Sequence, residues 1–83
     1  MSDELLIKKY FIVPRREIAY LRFTFEGYDG LVFMRTLRAA EGLIEVGYPS
    51  GLREEAESLL AALDREIGMT AAEPPPAEEY DPI

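Results

Sequence analysis

One short stretch, Glu26-Gly27-Tyr28-Asp29-Gly30, joins residue types that can hold a small ligand. Its two glycines let backbone amides approach a bound group closely. Asp29 can accept hydrogen bonds or pair with an amine, and Tyr28 offers a stacking face with a polar tip. Gly27, Tyr28, Asp29 and Gly30 are therefore the candidate ligand-binding residues. The same glycine-flanked aspartate is also what a tight helix-to-strand turn requires. It is not a phosphate loop, because the glycine spacing and the following lysine of such loops are missing.

A second set combines Lys8, Lys9, Arg15, Arg16, Arg22, Arg35 and Arg38 with Tyr10, Phe11 and Phe33. Cations interleaved with aromatics suit a sheet that stacks bases and neutralises phosphates, but the motif of such domains is absent. The competing reading is solvated cations with partners inside the chain. The carboxylate pairs Glu54 with Glu57 and Glu78 with Glu79 fall at a helix start and in a polar tail, where nothing desolvates them into an acid–base dyad. Histidine and cysteine are both absent. That removes the usual zinc sites, Ser-His-acid triads, Cys-His pairs and disulfides. No catalytic residue, metal ligand or cofactor is expected, and the chain is read as a protein that is not an enzyme.

A chain of 83 residues allows one small domain. Its net charge of −7 is unevenly placed. Residues 1–53 carry eight basic and seven acidic side chains, whereas residues 54–83 carry Arg65 against nine acidic ones. A globally acidic protein repels phosphate backbones, so nucleic-acid binding is disfavoured. The acidic start Met1-Ser2-Asp3-Glu4 has the wrong order for a secretory signal, and no apolar run approaches the roughly 20 residues of a membrane span. A cytoplasmic protein without a membrane partner is expected.

These candidates must be positioned by a few elements. Leu5–Val13 reads as a strand rich in β-formers and closed by Pro14. Pro14 also suits the first turn of a helix. In the next segment a helix places Ile18, Leu21, Phe25 and Tyr28 on one stripe, while a strand would align Ala19, Leu21, Phe23 and Phe25. The proline start and the Gly27 end favour the helix. After the glycine turn, Leu31–Arg38 and Leu43–Tyr48 form an antiparallel hairpin across a short connector. Ser50 is the expected N-cap of a last helix, whose apolar residues Leu52, Ala56, Leu59, Leu60, Leu63 and Ile67 make one buried face before Gly68.

Residues 1–68 thus form a single α+β domain, and residues 69–83 an acidic, proline-rich, disordered tail. The order βαββα predicts an antiparallel sheet with two helices on one face and a last strand that is missing or weak. The other sheet face is left open, yet the strands carry large apolar residues on both sides, since neighbours alternate. Apolar surface of that extent is usually covered. Tyr10, Phe11, Tyr20, Phe23 and Phe33 are the candidate interface residues, and the expected partnership is a homodimer, formed through the open sheet face or through the edge where the missing strand would lie, with a further protein partner as the alternative. The tail end, with Tyr80 and Ile83 as anchors, is a further candidate docking motif.

The run Arg16-Glu17-Ile18-Ala19-Tyr20-Leu21-Arg22-Phe23, followed by Glu26-Gly27-Tyr28-Asp29-Gly30-Leu31, resembles a small bacterial family described as a domain of unknown function and found as short stand-alone proteins. The resemblance covers about residues 5–67 and leaves out the tail. In element order the chain is similar to ACT-like and other ferredoxin-like regulatory modules, which implies a helix for the ambiguous segment. ACT domains bind amino acids at a glycine-containing turn between the first strand and first helix. Here that junction is Val13-Pro14-Arg15-Arg16, without glycine. The expectation is a non-enzymatic interaction or regulatory module acting as a homodimer. The alternatives are a sensor of an amino acid or metabolite at the Tyr28–Asp29 turn and a dimer groove, and then an RNA-binding accessory protein.

Overall fold

The structure is a computed structural model that describes residues 5–28 and 30–74. Strand β1 (Leu6–Ile12) leads through a 3₁₀ turn (Arg15–Glu17) into helix α1 (Ile18–Glu26). Strand β2 (Phe33–Arg38), a second 3₁₀ turn (Ala39–Glu41) and strand β3 (Leu43–Pro49) make the hairpin. A third 3₁₀ turn (Ser50–Leu52) opens helix α2 (Arg53–Ile67), and strand β4 (Thr70–Ala71) follows. The sheet order is β2-β3-β1-β4, with every neighbouring pair antiparallel. Because β1 and β2 both run against β3, they are parallel to each other, and α1 is the crossover that joins them. The same logic makes α2 the crossover between β3 and β4.

The α1 segment resolves as a helix because of how its aromatics divide. Leu21 and Phe25, four apart, are buried, while Phe23 between them is 76% exposed. A strand would have put all three on one side. Pro14, with φ −59°, begins the preceding turn, where the Glu17 N–H donates to the Pro14 carbonyl at 2.9 Å. The helix ends at Glu26, so Tyr28, expected on the buried stripe, lies past it and is exposed.

Both helices cover one sheet face. Leu21 and Phe25 of α1 and Ala56, Leu60 and Leu63 of α2 pack with Ile44, Val46 and Tyr48 of β3 in one core. Gly42 closes the hairpin connector at φ +74°, and a Cβ there would sit 2.0 Å from the Val13 carbonyl oxygen. That close approach lets the Val13 N–H donate to the Gly42 carbonyl at 2.9 Å.

Two expectations are corrected. Ser50 does not cap α2: its Oγ accepts from the Leu5 N–H at 3.3 Å, its own N–H donates to the Leu5 carbonyl at 2.7 Å, and the 3₁₀ turn takes up the helix start. Ser50 thus prolongs the β1–β3 ladder. The segment after Gly68 is not tail from residue 69 onward. Met69 is buried in the core, Thr70 and Ala71 pair with Ile12 and Phe11, and the Ala72 N–H donates to the Tyr10 carbonyl at 2.8 Å. The fourth strand is present but short, because the prolines that begin at Pro74 cannot donate to a ladder.

Candidate functional site

The sheet face turned away from the helices holds the most unusual side chain of the fold. On it β1 places Leu6, Lys8, Tyr10 and Ile12, directly opposite Pro49, Gly47, Glu45 and Leu43 of β3, and β2 adds Phe33 and Arg35 opposite Gly47 and Glu45. Glu45, on a central strand, is only 3% exposed although no helix covers it. Its described polar partners come from across the two ladders. The Tyr10 hydroxyl donates to Oε2 at 3.0 Å, and Arg35 Nε faces Oε1 at 3.4 Å. A carboxylate taken out of water needs such partners, since an uncompensated buried charge is costly. Each oxygen is engaged, so Glu45 acts as a strut tying β1, β3 and β2 together.

Beside this strut the face is apolar. Phe33 lies over Gly47, where a Cβ would come within 2.1 Å of the ring. Only glycine lets the ring rest on the backbone there. Phe33 nonetheless stays 41% exposed, Leu6 51% and Ile12 37%. The result is an apolar shelf in two parts, Leu6 and Phe33 at one end and Ile12 at the other, with the polar row between them.

The five candidate interface residues do not share one surface. Tyr10 and Phe33 lie on the open face, whereas Phe11 alternates to the helix side and packs against the core. Tyr20 and Phe23 sit on α1; the Tyr20 hydroxyl donates to the Glu66 carboxylate of α2 at 2.9–3.0 Å, and that hydrogen bond, first of all, raises its pKa. Of the candidate ligand turn, Gly30 borders a small hollow with Leu6, Val32 and Phe33, Tyr28 is exposed, and Asp29 lies outside the described residues.

The basic residues disperse as well. Arg22 donates to Thr36 Oγ1 at 3.0 Å, Arg38 pairs with Glu41 at 3.4 Å, Arg16 with Glu17 at 3.7 Å, and Lys8 and Lys9 point to opposite sheet faces. Tyr80 and Ile83 lie outside the described residues.

Glu45 escaped the reading of the sequence, although a signal existed: a single carboxylate at the centre of the apolar strand Leu-Ile-Glu-Val-Gly-Tyr. Among the described residues no group of acidic side chains is clustered as a metal site, and no helix is long and apolar enough to cross a membrane.

A four-stranded antiparallel sheet with two helices on one face makes this an α+β protein. The chain belongs to the family described as Domain of unknown function (DUF4911), which matches residues 11–67 and so takes in both helices and the hairpin. The resemblance carried by the Arg16–Phe23 and Glu26–Leu31 runs therefore holds at the family level. No curated protein and no solved structure gives a significant match.

Proposed function

We propose that the protein is a non-enzymatic interaction module of ferredoxin-like type that works as a homodimer, joined through the open face of its sheet. The strand order β2-β3-β1-β4 with two helical crossovers is what supports the ferredoxin-like reading. The observation that carries the dimer is the shelf of Leu6, Ile12 and Phe33, exposed on a face that no described element covers. Large apolar side chains left exposed on so small a domain are a mark of association.

A second copy suits this face on charge. Lys8 and Arg35 against Glu45 sum to +1 among the described residues of this face, on a chain of net charge −7, so these charges add little repulsion when two copies meet there. A two-fold axis through the sheet would lay each shelf on its own equivalent. Light scattering on the full chain is expected to give twice the 9.4 kDa mass of one copy. Phe33→Glu should return the mass to one copy with its circular dichroism unchanged, while Phe23→Glu, on the exposed side of α1, should leave the dimer intact. A single-copy mass for the wild type at high micromolar concentration would defeat the reading.

A further inference from the structure

The helix side of the sheet opens into a cleft of about 350 Å³ between α2 and the β1–β4 edge, and it is independent of the face used for pairing. Phe11, Leu60 and Met69 give it an apolar floor. The wall on α2 carries Glu57 and Asp64, seven residues apart and so on one helix face, about 10 Å apart along the axis. The facing strand supplies Lys9.

The polar groups are only half used. Glu57 accepts the Tyr48 hydroxyl on Oε2 at 2.7 Å, with Arg53 Nε 3.6 Å from the same atom. Asp64 accepts the Met69 N–H on Oδ1 at 2.7 Å, the bond that turns the chain from α2 into β4. Among the described residues, the second oxygen of each carboxylate makes no hydrogen bond, and the Lys9 ammonium makes no ion pair. A cation on one wall, carboxylates on the other and an apolar floor between them match a ligand with both charges and an apolar body.

We infer that this cleft binds a small zwitterion, of the class of α-amino acids with an aliphatic side chain. Its carboxylate pairs with Lys9, its ammonium with the free oxygen of one α2 carboxylate, and its side chain rests on Phe11, Leu60 and Met69. A purely anionic ligand meets repulsion from Glu57 and Asp64, on a chain already at −7. A cation lacking the carboxylate leaves Lys9 without a partner. The volume lies at the low end for ligand sites, which sets the ligand's size.

The test is amide chemical-shift titration of the full chain with leucine, 4-methylpentanoate and 3-methylbutylamine, which share one aliphatic body. Leucine at millimolar concentration is expected to move the amides of Ala61, Met69 and Ala71, and the two single-charge analogues to bind about tenfold more weakly or not at all, as the loss of one ion pair of roughly 1.4 kcal/mol implies. Lys9 is exposed, so Lys9→Met should fold normally. It should weaken leucine about tenfold and leave 3-methylbutylamine unchanged, again the equivalent of one pair. Absence of any shift with leucine, or equal shifts with all three compounds, would overturn the assignment. So would a Tyr80→Ala/Ile83→Ala double variant that moves the same amides in the free protein while leucine moves none, since the tail would then be the occupant. Failure here leaves the light-scattering result for the dimer untouched.

Discussion

Tyr48 shows how one hydroxyl can make stability depend on pH. Its side chain is fully buried and its hydroxyl donates to Glu57, and burial together with that nearby carboxylate pushes its pKa up to about 12. An unfolded tyrosine ionises near 10, so above that pH the unfolded chain loses the proton first. The stabilisation from the neutral hydroxyl is complete below pH 10 and disappears as pH rises through 12, a change on the order of 2–3 kcal/mol. Urea melts of Tyr48→Phe should show a cost of about 1 kcal/mol at neutral pH, for the lost hydrogen bond. Between pH 10 and 12 the wild type should fall toward the variant and then below it, as the variant has no proton to release there. Parallel curves for the two proteins would contradict this account. Glu45 belongs to the same scale: its position in a strand is plain in the sequence, whereas Tyr10 and Arg35 become its partners only through two strand registers.

At the scale of elements, the last strand is the sharpest lesson. Thr70 and Ala71 have no strand period to read, and a two-residue strand has no preference strong enough to form alone. It exists because Gly68 ends α2, Asp64 catches the Met69 N–H, and Met69 drops into the core beside Leu63 and Val13. Met69→Ala is expected to cost about 2 kcal/mol by lost burial and the cavity it leaves. Glu73→Ala, exposed two residues past the strand, should stay within about 0.5 kcal/mol of wild type. Denaturant midpoints of the two variants decide it: a silent Met69→Ala would mean the strand is passively attached. By contrast α2 and the hairpin were readable, because fifteen residues of helical period and two alternating runs carry their own signal. The ambiguity of α1 was settled by burial, with Phe23 left outside and Leu21 and Phe25 within.

For the whole molecule the charge is lopsided: residues 1–53 sum to +1 (eight basic less seven acidic) and residues 54–83 to −8 (one basic less nine acidic). Copies of such a chain meet with less repulsion through the sheet than through α2, whose exposed side carries several of those carboxylates. If the dimer is the working form, its melting temperature must rise with protein concentration, because association stabilises the folded chain by mass action. Calorimetry at several concentrations should show that rise in the wild type and none in Phe33→Glu. A melting temperature constant across concentrations in the wild type would argue for a single copy.

What the sequence alone determined was the class of structure and the surplus of apolar side chains. Both follow from period and punctuation, which act within a few residues: the proline before α1, the glycines at the turns, the amphipathic face of α2. The tertiary structure decided which residues meet. It set Tyr10, Glu45 and Arg35 in one row, sent Phe11 to the opposite face from Phe33, and opened the cleft between Lys9 and α2. Tyr10 and Glu45 lie 35 residues apart, and strand register, which moves every side chain to the other face with a slip of one residue, is fixed by packing of the whole sheet.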